Sequence, residues 1–265
     1  MTTAEVPNEI SLTARFDGID AYCRSAIELL SDAFDSQRGI MEQVARHWSE
    51  LIVSDHMIFS FGSGHSRFIA GELHFRAGGL VPVMSIDDPG RGVAERLEGY
   101  GQLLVDRYEI SAGDCTVVIS NSGINPLPIE LAEAARARGS SVVAVTSSGV
   151  SSGLPARHSS GRKLYEVADF VLDTGVPAGD AVVPLDGYAW SVAPVSTLIS
   201  VGLLNSIIAQ VARNLVAAGV APPVLASVNA QDGDDHNHRV VERYWRRLAS
   251  FPLRPQGSSP QSASL

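Results

Sequence analysis

The chain has 265 residues, of which 45% are hydrophobic and 18% charged, and its formal net charge is −9. That balance suits a globular protein with a sizeable core. It excludes a binder of the nucleic-acid backbone, whose affinity rests on clustered Lys and Arg that release counterions.

Residues 1–14 lack periodicity, and 251–265 are rich in Pro, Ser and Gln, so both ends read as tails around one folded unit over 15–250. That unit opens with FDGIDAYCRSAIELLSDAFDSQRGIMEQVARHWSELIVSD, whose apolar residues at Ile19, Tyr22, Cys23, Ala26, Leu29 and Leu30 follow a helical spacing. Two helices are predicted before any strand. A repeated grammar then begins, in which a β-branched apolar run ends in Gly or Ser and a helix follows. The runs are HMIFSFGSG, LVPVMSI, DCTVVISNSG, SVVAVTSSG and ADFVLDTG. Runs apolar on both faces and separated by helices predict an α/β fold of three layers around a parallel sheet of about five strands. After Pro194 the pattern predicts one long helix ending at Ala218-Gly219, and SVNAQDGDDHNHRVVERYWRRL reads as a polar loop running into a short helix.

Cys23 and Cys115 show the spacing of neither a disulfide framework nor a metal knuckle, which points to a reducing compartment. The N-terminus lacks the basic start and apolar run of a signal peptide, and no stretch reaches the roughly 18 uninterrupted apolar residues of a membrane span. A cytoplasmic protein with no membrane partner is expected. Lys163, the only lysine, lies in the polar segment HSSGRKLYE, a poor setting for imine chemistry. Arg243, Arg246 and Arg247 read as a solvated helix face.

The turn FGSGHS, residues 61–66, admits three chemistries. A nucleophile elbow needs a tiny residue two positions after its serine, and Phe68 stands there. A dinucleotide turn needs a third glycine, where the chain has Arg67. A phosphate site uses more of the sequence. Ligands of a parallel sheet lie beyond the strand C-termini, and three of those ends carry hydroxyls: Ser63 and Ser66; Ser120, Asn121, Ser122 and Gly123; Thr146, Ser147 and Ser148. Hydroxyls and backbone N–H groups at helix N-termini bind anions without Lys or Arg.

Taken with GELHFRAGGL, ERLEGYG, VVISNSGINPLPIELA, RKLYEVADFVLDTG, GDA and DGDDHN, the turn FGSGHS resembles the SIS (sugar isomerase) family over roughly residues 15–248. The resemblance implies a three-layer αβα sandwich with a five-stranded parallel sheet behind N-terminal helices. It also implies a sugar phosphate as ligand, no cofactor, and a homodimer or homotetramer with sites near the subunit interface. Ser120, Asn121, Ser122 and Gly123 would hold the phosphate, assisted by Asn125 and Ser147, with Ser63, His65 and Ser66 facing the phosphate or the sugar oxygens. Capping of helices is the competing reading for Ser120 and Ser147.

Chemistry on such a ligand begins with loss of the proton beside the open-chain carbonyl, which a carboxylate within reach performs. Glu72 is the leading candidate base, on the helix that starts at the glycine turn. The heptose-phosphate isomerases place their glutamate ten residues after the loop serine, where this chain has Arg76. Glu98 competes, although Glu95 and Glu98 read equally as solvated residues. His236, in DDHNH, is the expected second acid–base group. A zinc site from Glu72, His74, His236 and His238 lacks ligand spacing, and no metal is expected. The preferred outcome is a dehydratase or lyase acting on N-acetylglucosamine 6-phosphate. The alternatives are an aldose–ketose isomerase and a non-catalytic phosphosugar sensor.

Overall fold

The structure, a computed structural model, describes residues 17–248. Both expected tails, 1–14 and 251–265, lie outside the described residues. The first element is α1 (Asp17–Val53), followed by β1 (Ile58–Gly62), a 3-10 turn at Gly64–Ser66 and α2 (Arg67–Glu72). Then come β2 (Val83–Ser85), α3 (Tyr100–Asp106), β3 (Cys115–Ile119), α4 (Pro126–Ala137) and β4 (Ser141–Thr146). The chain continues through α5 (Ser148–Gly153), α6 (Leu164–Val167), β5 (Phe170–Asp173), β6 (Ala181–Val183), β7 (Val192–Pro194), α7 (Ser196–Ala217) and α8 (Gly233–Glu242).

The helical segment ahead of the first strand is one continuous helix of 37 residues rather than two. A Cβ added at Gly39 in its interior would meet no atom within 4 Å beyond the helix's own backbone, so the sequence offers a weak spot there but no clash or proline to break the helix. It packs against α7 through the layer of Ala26, Ala33, Ile199 and Leu203.

All five expected strands form one sheet in the order β2-β1-β3-β4-β5, and every pairing is parallel. Alternation along each strand builds the three layers. In β3, Cys115, Val117 and Ile119 face a cluster containing Trp48, Ile52, Leu204 and Ile207 from α1 and α7. Val118 faces the other way, with Phe59 and Phe61 of β1, toward Leu104, Leu127, Leu131 and Val241 from α3, α4 and α8. Both faces are covered, which explains why the strands read as continuous apolar runs. α7 is long and apolar enough to cross a membrane, yet Ile199, Leu203, Leu204, Ile207 and Val211 along it are buried within the protein.

From β1 the chain moves outward to β2, then returns to the far side of β1 for β3. That reversal opens a crevice at the C-terminal ends of β1 and β3, the place where open α/β sheets take ligands. Between β5 and α7 the chain adds an antiparallel two-stranded hairpin, β6 with β7, which the sequence pattern did not reveal.

Candidate functional site

A cavity of ≈ 890 Å³ occupies that crevice. One wall is the 3-10 turn and the start of α2, contributing His65, Ser66 and Ile69; the floor is the loop after β3, with Ser120, Asn121 and Ser122. α5 adds Gly149 and Val150, and the base of the hairpin with the start of α7 adds Asp180, Pro194, Ser196 and Thr197. Among the described residues neither Lys nor Arg lines it, and its charged side chains are Glu95 and Asp180. An anion in this cavity would therefore be held by hydroxyls and N–H dipoles rather than by cations.

The loop after β3 brings such groups to the cavity floor. Gly123 has φ of +61° and its N–H donates to Ser120 Oγ at 3.2 Å. A Cβ at Gly123 would stand 2.9 Å from Thr146 Oγ1 and 3.1 Å from Ser151 Oγ, so the backbone lies against β4 and α5 where no side chain fits. Asn121 is held from behind: its carbonyl accepts from Ser147 N–H at 2.9 Å and from Thr146 Oγ1 at 3.2 Å. These bonds fix the loop and leave Ser120 and Ser122 along the cavity.

Several expected site residues do other work. Ser147 is buried and its hydroxyl donates to the Val176 carbonyl at 2.7 Å, so it ties β4 to the segment after β5 instead of facing the cavity. Ser63 is buried behind the 3-10 turn, and its hydroxyl has no hydrogen-bond partner among the described residues. Asn125 is also buried, with both ends of its amide occupied: Nδ2 donates to Glu95 Oε1 at 2.7 Å, and Oδ1 accepts from Arg157 Nη1 at 2.9 Å.

The structure separates the three expected acid–base residues from the cavity within the subunit. α2 ends at Glu72, whose carboxylate is ion-paired with Arg76 and lines a smaller cavity of ≈ 260 Å³ against Asn205 and Ile208 of α7. Sequence spacing put Glu72 on the helix but could not show which face α7 covers. Glu98 accepts from Ser159 N–H and Ser159 Oγ, both at 2.7 Å. Those two hydrogen bonds hold its carboxyl below the usual range. It anchors the loop after α5. His236 Nε2 donates to the Val224 carbonyl at 2.9 Å beside the start of β2, and the adjoining Asn237 clasps both the N–H and the carbonyl of Ala226. DDHNH thus fastens the segment 224–227 to α8, whereas the cavity lies at the strands' C-terminal ends.

In their place the cavity contains two carboxylates: Glu95, which the sequence read as a solvated residue, and Asp180, to which it gave no part in the sugar chemistry. Glu95 comes from the long β2–α3 loop, which is pinned by Asp88: that buried carboxylate accepts from Gly90 N–H at 2.8 Å, Gly92 N–H at 2.7 Å and Tyr100 Oη at 3.0 Å. Gly92, with φ of +88°, lets the loop close onto Gly64; a Cβ there would stand 2.8 Å from the Gly64 Cα. Glu95 Oε2 consequently sits 3.9 Å from where a Cβ on Gly64 would stand, beside the turn that carries His65 and Ser66. Asp180 enters from the hairpin side and caps α7, accepting from Val195 N–H at 3.1 Å, Ser196 N–H at 2.7 Å and Ser196 Oγ at 2.6 Å. GDA was a detectable signal for Asp180; for Glu95 the signal was ERLEG, which marked the loop but not the side of it that faces inward.

A family model described as the SIS domain matches residues 21–147. A UPF0309 protein of Geobacillus thermodenitrificans is 35% identical over 251 residues, spanning 91% of this chain and all of the relative. Another, from Brucella canis, is 41% identical over 234 residues, spanning 85% of this chain and 95% of its own length. The chain belongs to the SIS-domain proteins and, among them, to the UPF0309 group. Solved SIS structures share its fold. A phosphoheptose isomerase from Francisella tularensis superposes with a TM-score of 0.54 at 17% identity, covering 76% of this chain and 100% of its own. The Vibrio vulnificus NanR protein complexed with ManNAc-6P does so with a TM-score of 0.51 at 15% identity, covering 91% of this chain and 72% of its own. This SIS protein therefore carries its open cavity at the strand ends of a fold that serves both an isomerase and a sugar-phosphate-binding protein.

Proposed function

We propose that the protein is an enzyme acting on an open-chain sugar 6-phosphate, and that Glu95 is the base that removes the proton at C2. The observation that carries this reading is that Glu95 shares one cavity with the Ser120–Ser122 loop, while Glu72 and Glu98 are turned away from it. A phosphate on the serine loop lays the sugar chain along the cavity toward the 3-10 turn, where the Glu95 carboxylate lies.

The chemistry is aldose–ketose isomerisation. Glu95 takes the C2 proton, the electron pair moves through C1 onto the carbonyl oxygen O1, which takes a proton from His65 or solvent, and an enediol results. The Glu95 carboxyl returns the proton to C1, and the hydroxyl proton on O2 passes to solvent or to His65 as the C2 carbonyl forms. Ser66 and Thr197 hydrogen-bond the sugar hydroxyls. That a phosphoheptose isomerase shares this fold supports this outcome. The sequence preference for elimination rested in part on the missing heptose-isomerase glutamate spacing, and Glu95 removes that part of the reason. Loss of the C3 oxygen from N-acetylglucosamine 6-phosphate shares the same first step and is the outcome that the product analysis separates. A second copy of the chain is expected to complete the mouth of the site.

Incubation with hexose, hexosamine, N-acetylhexosamine and heptose phosphates in D2O, followed by proton NMR, tests the reading. Deuterium at C1 or C2 with an aldose–ketose pair supports isomerisation, and an unsaturated or 3-deoxy product supports the lyase. Binding seen as thermal stabilisation with no exchange in any sugar makes the protein a sensor. Glu95→Gln abolishes exchange while Glu72→Gln retains it; the reverse pattern overturns the base assignment.

A further inference from the structure

We propose that Asn125 and Arg157 are positioning residues that orient the Glu95 carboxylate, so that Asn125 serves the base rather than the phosphate. This rests on the reading of Glu95 as the base. Glu95 stands on a loop of turns between β2 and α3, with no helix or strand beneath it. A glutamate in that setting loses rotamer freedom only if something holds its head. What holds it here is a chain of two hydrogen bonds through three separate segments. Arg157 Nη1 donates to Asn125 Oδ1 at 2.9 Å, and Asn125 Nδ2 donates to Glu95 Oε1 at 2.7 Å. The backbones are joined in parallel: Leu127 N–H donates to the Glu95 carbonyl at 3.2 Å, and Arg157 N–H to the Ile124 carbonyl at 2.9 Å.

The direction of this chain is forced by chemistry. A guanidinium only donates and a carboxylate only accepts, so the amide between them must turn its oxygen to Arg157 and its nitrogen to Glu95. Asn125 is 7% exposed, which leaves water little access to replace either partner. Arg157 therefore decides which end of the amide Glu95 meets, although it does not touch Glu95. With Oε1 bound to the amide, Oε2 is the oxygen left toward the glycine turn, where it sits beside Gly64. The tether thus selects which carboxylate oxygen is offered to a substrate.

Three variants test this: Asn125→Asp, which keeps the size and the Arg157 contact but presents an oxygen to Glu95; Arg157→Met, which frees the amide to flip; and Arg157→Lys, which restores a donor. Fructose 6-phosphate and N-acetylglucosamine 6-phosphate in D2O report the exchange rate, and inorganic phosphate reports the anion site. The expected result for Asn125→Asp is a fall of about 10²-fold in kcat for exchange, the scale of a misplaced reacting group, with KM and phosphate binding unchanged. Arg157→Met falls less, and Arg157→Lys recovers part of the loss. Weakened phosphate binding by Asn125→Asp with kcat intact overturns the proposal and returns Asn125 to the phosphate. A readout independent of turnover is the Asn125 side-chain amide signal, recognised in 15N spectra by its loss in Asn125→Asp. Slow exchange with solvent and displacement in both Glu95→Ala and Arg157→Met support the chain; a signal unmoved in both refutes it. Full exchange activity in Glu95→Gln, together with displacement of that signal in Glu95→Ala, refutes the base assignment alone.

Discussion

Gly123→Ala should damage the anion loop and the fold together, by amounts that follow from its surroundings. Gly123 sits at φ of +61°, a region that costs an L-residue about 1–2 kcal/mol. The added methyl would stand 2.9 Å from Thr146 Oγ1, 3.1 Å from Ser151 Oγ and 3.4 Å from Leu164 Cβ, and Thr146, Ser151 and Leu164 are all buried. Overpacking of that kind costs about 1–3 kcal/mol. The two contributions together give a loss of roughly 2–5 kcal/mol, or on the order of 10 °C in Tm for a chain of this size. Relief of the overlap must move the loop, because β4 and α5 are fixed by the sheet and by the Ser147 hydroxyl bond to Val176. The N–H groups and hydroxyls of residues 120–123 then lose their common focus. The assay is thermal unfolding with and without inorganic phosphate, whose stabilisation of the native state reports affinity. Gly71→Ala is the control: a Cβ on that helical glycine would meet no atom within 4 Å beyond its own helix backbone, so the change should be neutral or stabilise by about 0.5–1 kcal/mol. Gly123→Ala within about 0.5 kcal/mol of the wild type, or with phosphate protection intact, would refute the account of this loop.

Ser120→Ala removes one hydroxyl from the cavity floor, and a lost hydrogen bond to a charged group predicts about 10- to 100-fold weaker inorganic phosphate binding by calorimetry, with the fold retained. Asp180→Ala strips the cap from α7 and should cost about 1–2 kcal/mol in urea unfolding, because the Ser196 N–H and hydroxyl lose their acceptor and Val195 N–H keeps only the Asp180 carbonyl at 3.3 Å. Arg247→Met leaves the buried Asp114 carboxylate without its guanidinium, contacts of 2.6 and 2.9 Å, and should cost about 3 kcal/mol near neutral pH. Burial by itself pushes the Asp114 carboxyl up, but the hydrogen bonds from Arg247, Met57 N–H and Ser111 N–H outweigh it and hold the group below the usual range. The stability it contributes is therefore complete above its unfolded-state value near 4 and disappears as pH falls through the lower folded value. The gap between wild type and Arg247→Met should narrow on that side; a gap that widens in acid contradicts the pairing.

Much of this protein was legible from local order along the chain. Each of the five strands is a short β-branched run whose alternate residues meet different helical layers, and β3 shows this directly with Val117 facing α1 and α7 and Val118 facing α3 and α4. The ISNSG loop was legible for a related reason: a glycine after two hydroxyls at a strand end marks a backbone turn that few other residues can make. The β6–β7 hairpin was not, because its strands have three residues each, fewer than a periodic signal requires.

The candidate catalytic residues mark where local reading stops. Sequence alone determined that a serine-lined loop would stand at the C-terminal edge of a parallel sheet, since strand length, apolar periodicity and glycine placement are local properties. Only the tertiary structure decided which carboxylate faces that loop. Glu72 had the favourable position on a helix, but α7 packs over that face and Arg76 takes its charge. Glu95 had no periodicity to recommend it, and reaches the cavity because Asp88 folds its loop and Asn125, distant in sequence, holds its head. Side-chain direction on a loop is set by contacts between segments far apart in the chain, and those contacts exist only once the sheet has brought the segments together.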